Sequence, residues 1–292
     1  TAATETITYD ATAPGTVTIT TPIEGDDIVN AAEDADVLVA GTGADPGATV
    51  DVEIDDGTNP AVTAQVTADG SGNWTLLGGD ELDVSGLDDG SLTVSVTQTD
   101  DAGNTSTSAT ETVTLDNAAP TIAGAIAPSV AQITDAEVGS DTFTLSIDFN
   151  ETMDTSVDPT VTFPTGGEDP TTVGNTVASL QNASGSWTDN DTFVVTFDVA
   201  DDDIVINDID VRVTGAQDAA GNTMAADTRN DVFSVVTAPA PVVDSITSTS
   251  GNGDFGVGDA VNVTVTFDEA VDFTAGGGTL EATLSNGETV TL

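Results

Sequence analysis

The sequence contains no cysteine, no histidine and no lysine, and its two basic residues are Arg212 and Arg229. Each absence removes a class of chemistry. Without cysteine there is no disulfide framework and no thiolate to act as nucleophile or metal ligand. Without histidine no Ser-His-Asp or Cys-His arrangement can be assembled, and without lysine neither a Schiff base nor a Ser-Lys pair is available. Zinc and the later transition metals lose their nitrogen and sulfur ligands, which leaves oxygen-only coordination, of calcium first and of magnesium more weakly. Aromatic residues are only 4% of the chain, so paired carboxylates for sugar hydrolysis would lack an aromatic-lined cleft. The chain is expected not to be an enzyme.

Acidic residues are abundant: 51 Asp and Glu give a formal net charge of −49. Phosphate backbones and anionic membranes are bound through Lys and Arg, so nucleic-acid and membrane-surface partners are excluded. Strong acidity with few aromatics can mark disorder, but 38% of the residues are apolar and they alternate with polar ones in many short runs, which argues for a folded, highly solvated chain. Most of the acids belong to that salt-tolerant surface. Neither a signal-like segment nor a long apolar span occurs, so any export or anchoring signal is expected outside this stretch.

Repeated phrases divide the chain. Thr4–Tyr9 followed by Asp10 and Pro14 is echoed by Thr110–Leu115 followed by Asp116 and Pro120. With Pro239, these prolines mark off lengths of roughly 110 residues, the size of a two-sheet sandwich. The expected organisation is residues 1–12 as the last strand of a preceding domain, 13–117 as domain 1, 118–237 as domain 2, and 238–292 as the first half of a third.

Strand-like runs in domain 1 fall at Thr16–Thr20, Asp36–Thr42, Ala48–Asp55, Ala61–Ala68, Asn73–Leu77, Ser91–Thr99 and Ser108–Leu115. Seven short alternating strands predict an all-β, immunoglobulin-like sandwich. Domain 2 repeats the scheme with Phe143, Leu145, Ile147 and Phe149 on one run and Phe193, Val195 and Phe197 on another. Val242–Ser248, Ala260–Phe267, Thr279–Leu284 and Glu288–Leu292 are the strand candidates of the third domain. Trp74 is expected as a core plug.

The stretch Asp100-Asp101-Ala102-Gly103-Asn104 returns as Asp218-Ala219-Ala220-Gly221-Asn222. Asp and Asn fold back on local backbone and Gly permits positive φ, so each copy predicts a tight acidic turn with oxygens facing outward. In a seven-strand sandwich the loop before the last strand lies beside the incoming linker. That places Asp100, Asp101 and Asn104 opposite Asp10, and Asp218 and Asn222 opposite Asp116. The loop after the first strand lies at the other pole, so Asp26, Asp27, Asn30 and Glu33 could join Asp116 at the junction of domains 1 and 2. Asn30 and Glu33 fit a capped turn equally well. These residues are the candidate calcium ligands.

Gly41–Val50, Asp69–Thr75, Asp89–Val94 and Asp100–Asn104 together resemble the tandem bacterial Ig-like domains of giant calcium-binding cell-surface adhesins and biofilm matrix proteins. Domain 2 is similar through Ala119-Pro120, Phe149–Met153 and Asp218–Asn222, and residues 256–271 resemble the first half of another repeat. The resemblance implies an extracellular, structural segment at a bacterial surface or in its matrix, with calcium stiffening the domain junctions and neighbouring domains of the same chain as partners. Other copies or a host surface ligand are possible further partners. It carries over best to Asp10, Asp100, Asn104, Asp116, Asp218 and Asn222, while Val235 stands where the third junction would need its aspartate. Two other readings are a subunit of a self-assembling filament or surface layer and a carbohydrate-binding accessory module, for which Tyr9, Trp74 and Trp187 would supply the platform.

Overall fold

A computed structural model describes residues 9–164, 168–171, 178–237, 242–250, 256, 259–268, 281–283 and 289–291. Period-two alternation organises the first core. In the strand Thr49–Asp55, Val50, Val52 and Ile54 are buried, and in Gly90–Thr99, Leu92, Val94, Val96 and Gln98 are buried. Antiparallel pairing sets Val52 opposite Val96 and Ile54 opposite Val94, so one apolar row forms on one sheet face. In chain order the strands are β1 (Thr18–Ile19), β2 (Ile28–Asn30), β3 (Ala40–Thr42), β4 (Thr49–Asp55), β5 (Val62–Thr67), β6 (Trp74–Thr75), β7 (Gly90–Thr99) and β8 (Ala109–Asp116). They make a three-stranded sheet, β1-β3-β6, and a five-stranded sheet, β2-β8-β7-β4-β5.

The two sheets close on a shared cluster that runs from Val17 to Leu115. Trp74 plugs it from β6 and is 2% exposed. Room for its ring comes from Gly41 on β3: a Cβ there would lie 1.9 Å from the Thr18 carbonyl oxygen and 2.3 Å from the indole. Gln98, fully buried, ties the incoming segment to this core. Its Nε2 donates to the Gly15 carbonyl at 2.6 Å and its Oε1 accepts the Asp45 N–H at 2.8 Å.

The second core is built from larger side chains. Its strands are β9 (Ala127–Pro128), β10 (Gln132–Ile133), β11 (Gly139–Asp148), β12 (Thr160–Thr162), β13 (Leu180–Trp187), β14 (Thr192–Val199), β15 (Val205–Thr214) and β16 (Asp227–Val236). They form two four-stranded sheets, β10-β16-β15-β12 and β13-β14-β11-β9. Phe143 lies opposite Phe197 in register, and its ring also stacks at 4.8 Å on Phe233 of the facing sheet. Trp187 lies between Phe149 and Phe193. Aromatic pairs of this kind add to the area they bury.

The two bodies share their topology except at the fifth strand, which pairs with the fourth in the first body, β5 with β4, and with the sixth in the facing sheet of the second, β13 with β14. The first strand pairs in one sheet, then the chain crosses and a short strand, β2 or β10, runs parallel to the last strand, β8 or β16. This is the immunoglobulin-like arrangement of two facing sheets, antiparallel apart from that one parallel pair. The short strand β2 lies within the Asp26–Glu33 stretch that sequence reasoning treats as a loop. Three residues are too few to show a period, and the strand exists because the edge of β8 supplies its partners.

Residues 238–292 form a separate unit from residues 1–237. In it, β17 (Val243–Ser248) pairs antiparallel with β18 (Val263–Phe267), and β19 (Glu281–Thr283) with β20 (Thr289–Thr291). Several sequence expectations lie outside the described residues: the strand Thr4–Tyr9 up to residue 8, the Pro239 junction, and parts of the 251–259 and 279–292 stretches. Among the described residues no helix is long and apolar enough to cross a membrane.

Gly41→Ala should overpack the first core and cost about 1–3 kcal/mol. Urea denaturation would read this as a lower midpoint, and an unchanged midpoint would contradict the packing described for Trp74.

Candidate metal centre

Both copies of the acidic turn have the same internal wiring. The Asp100 carboxylate accepts the N–H groups of Ala102 and Asn104 on Oδ1, at 2.9 and 2.8 Å, and the Asn104 side-chain Nδ2 on Oδ2, at 2.9 Å. Asp218 accepts from Ala220, Asn222 and Asn222 Nδ2 at 2.9, 2.8 and 2.8 Å. A third copy, Asp69 to Asn73, makes the corresponding bonds at 2.7, 2.9 and 3.1 Å. In all three the fourth residue is a glycine at positive φ, between 80° and 95°, a conformation glycine adopts without steric penalty. The turn thus saturates most of its own carboxylate. Donation by the Asn104 side chain and backbone holds the Asp100 carboxyl below the ordinary aspartate range.

What separates the copies is their surroundings. The Asp69 turn has Ser71 and Asn73 exposed to solvent, whereas Asp218 and Asn222 are 1% and 5% exposed. Asn222 bridges the two sandwiches: its Oδ1 accepts the Ala31 N–H at 2.8 Å, and its Nδ2 donates to the Asp116 carbonyl at 2.9 Å. Around this contact Asp116, Glu151 and Asp218 converge, each offering a carboxylate oxygen within 4.8 Å of the others. Asp116 ends β8, Asp218 precedes β16, and Glu151 follows β11. An antiparallel bridge between Met153 and Asp218, with Met153 buried, sets the Glu151 loop alongside the turn.

No arginine acts on Asp116 or Glu151. Burial raises the Asp116 carboxyl above its ordinary value, and the Asp218 charge raises it further. Burial likewise raises Glu151, followed by Asp218 and Asp116. The one ion pair among the described residues, Arg229 with Asp227 at 2.9 Å, is elsewhere. Three carboxylates this close, with no basic partner, repel one another, and a proton or a cation relieves that repulsion.

The other candidate residues are arranged as follows. Asp10 is exposed. Its carboxylate accepts the Thr12 N–H at 2.9 Å, and its carbonyl accepts Asn104 Nδ2 at 3.4 Å. Asp10, Asp45, Asp100 and Asp101 line one open cavity of about 430 Å³. Asp26 and Asp27 accept local N–H groups, from Ile28 at 3.0 Å and Ile23 at 2.8 Å. Asn30 and Glu33 form a capped turn, with Glu33 Oε2 accepting the Asn30 N–H at 3.1 Å and Asn30 Oδ1 accepting the Ala32 N–H at 2.9 Å. None of these four belongs to the three-carboxylate group; their loop meets the junction through the Ala31 backbone instead. Glu151 is the member that sequence reasoning omits. It sits two residues past Phe149, the last of the alternating row on that run, and nothing local announces that its loop returns to the Asp218 turn.

Residues 24–117 match the family model of the bacterial Ig-like domain. That match covers most of the first sandwich. No curated protein matches the chain. Among solved structures, a tetra-tandem repeat in the extending region of a large adhesion protein is 20% identical, over 95% of this chain and 64% of its own length, with a TM-score of 0.27. The cadherin-like domains 1 to 4 of zebrafish RET are 8% identical over 68% of this chain and 44% of theirs, with a TM-score of 0.27. The calcium-binding domain CBD12 of CALX1.1 is 13% identical over 66% of this chain and 78% of its own, with a TM-score of 0.21. This chain therefore spans less than two thirds of the first two. The second sandwich sets its own Asp218 turn against the Ig-like domain's last strand.

With a chelator present, the raised carboxyls set the sign of the pH dependence. Their contribution to stability is fully present below the ordinary values of 3.8 and 4.5 and is lost as pH rises through the higher folded values. Glu151→Gln should therefore flatten the decline in urea midpoint between about pH 4 and pH 7 and raise the midpoint at pH 7. A profile parallel to that of the parent protein would remove Glu151 from the repulsive group.

Proposed function

We propose that residues 13–117 and 118–237 are successive Ig-like modules of a structural repeat in an extracellular bacterial adhesin or matrix protein, and that their junction is stiffened by calcium. The observation that carries this reading is the convergence of Asp116, Glu151 and Asp218 from three separate segments without a basic partner. Their donor set is all oxygen, which suits a hard cation. Oxygens within 4.8 Å of one another can share an ion whose bonds are about 2.3–2.6 Å long. The residues present therefore fit calcium, with Asp116, Glu151 and Asp218 as the carboxylates that would hold it.

When bound, the ion would offset the repulsion among the three carboxylates. The side chains themselves supply the mechanical consequence. Asp116 belongs to the segment leaving the first sandwich, and Glu151 and Asp218 belong to the second, so drawing the three together restricts the angle between the two. The role is structural and needs no catalytic group. A sugar-binding platform finds little support, because Trp74 is buried and Trp187 is packed between two phenylalanines; Tyr9 alone of the three candidates is exposed.

Calcium titration of the whole chain by calorimetry, with thermal unfolding in parallel, tests the reading. Calcium should raise the melting temperature, and Asp116→Asn combined with Glu151→Gln should weaken binding roughly tenfold or more. If chelator changes neither the melting temperature nor the angle between the first two sandwiches, measured by residual dipolar couplings, the calcium reading fails.

A further inference from the structure

The hydrogen bonds of Asn222 have a counterpart at the opposite pole of the first Ig-like domain. Asn104 occupies the same place in its turn, donates the same internal bond to Asp100 Oδ2, and points Nδ2 at the carbonyl of the linker aspartate, Asp10, as Asn222 does at Asp116. The Asn104 bond to the linker is longer, 3.4 Å against 2.9 Å. With both Nδ2 donors directed alike, the two Oδ1 acceptors are presented alike. At Asn222 that oxygen receives the Ala31 N–H; among the described residues no donor reaches Asn104 Oδ1.

The donor's setting is equally specific. Ala31 follows β2 inside the Asn30–Glu33 capped turn, where the Glu33 carboxylate holds the Asn30 N–H and Asn30 Oδ1 holds the Ala32 N–H. The N–H between them is left for an acceptor outside the turn. The second sandwich carries a turn of the same design after β10, Thr134 to Glu137, with Glu137 accepting the Thr134 N–H at 2.7 Å. Each sandwich therefore bears an acceptor turn before its last strand and a capped turn after its short crossing strand, which is the pairing a head-to-tail contact requires.

We propose that Asn104 is the docking acceptor for another Ig-like module of this kind, its Oδ1 receiving the backbone N–H at the second position of a capped turn such as Asn30–Glu33. The contact joins neutral groups and so is independent of calcium. It fixes how neighbouring modules are oriented even where carboxylates repel.

The test replaces residues 1–9 of the chain with a second copy of residues 13–115, so that Asp10 follows Leu115 as Asp116 does. Amide hydrogen exchange is followed by NMR with chelator present, which separates the outcome from the calcium reading. The Ala31 amide of the added copy should exchange roughly fivefold or more slowly than in the same chain carrying Asn104→Ala. Asn73→Ala, which removes the same internal bond from the solvent-exposed turn, should leave that amide unchanged. A scalar coupling across the hydrogen bond, from this amide to the Asn104 side-chain carbonyl in the unsubstituted fusion, is expected and does not depend on the variants folding. Equal exchange with and without Asn104, an equal effect of Asn73→Ala, or no such coupling would each overturn the assignment.

Discussion

The Asn222 side-chain amide is the smallest group on which the two sandwiches depend together. Its nitrogen reaches the carbonyl of Asp116, the last residue of the first sandwich's final strand, and its oxygen reaches the backbone N–H of Ala31 in a neighbouring loop of that same sandwich. One planar group thus satisfies two backbone positions that the first sandwich leaves open at its end. Because it is nearly buried, each unmade bond would leave a polar group out of water, so the geometry is held more firmly than two exposed bonds would hold it. The turn around it makes this possible: Asp218 fixes the side chain from below through Oδ2, and Gly221 supplies the positive φ.

This arrangement also shows how a chain with a net charge of −49 settles its acids without lysine. Asp56, Asp69, Asp83, Asp100 and Asp154 are held below the ordinary aspartate range by N–H and side-chain donors within their own or nearby loops. Backbone amides and neighbouring Asn and Ser side chains do the work that salt bridges do in proteins of mixed charge, and they do it mostly within one loop. Asp116 and Glu151 are the exceptions. Their carboxyls are raised instead of lowered, because the junction buries them among acids and offers little donation in return. A departure of this kind, against a background of satisfied carboxylates, marks the junction as the place where a ligand would matter most.

Much of the fold was legible from alternation alone. The rows Val50, Val52, Ile54 and Leu92, Val94, Val96 are apolar at every second residue, and that pattern has one inward face whatever the partner strand. The short strands β2, β9 and β10 were not legible, since two or three residues carry no period and their pairing is a property of the strands beside them. The site divides in the same way. The Asp-x-Ala-Gly-Asn turns could be read because their bonds close within five residues. Asp26 and Asp27 could be counted as acids but not placed, since their carboxylates turn back on neighbouring N–H groups.

By itself the sequence determined an all-β chain of alternating strands, the chemistry available to it, and two repeated acidic turns, because composition, period and local hydrogen bonding all act over a few residues. Only the tertiary structure decided which carboxylates meet. Glu151 joins Asp116 and Asp218 because the bridge at Met153 folds one loop beside another, and Asn222 meets Ala31 across 191 positions of chain. Contacts at that separation are set by how two sheets and two cores pack, which no window of sequence contains.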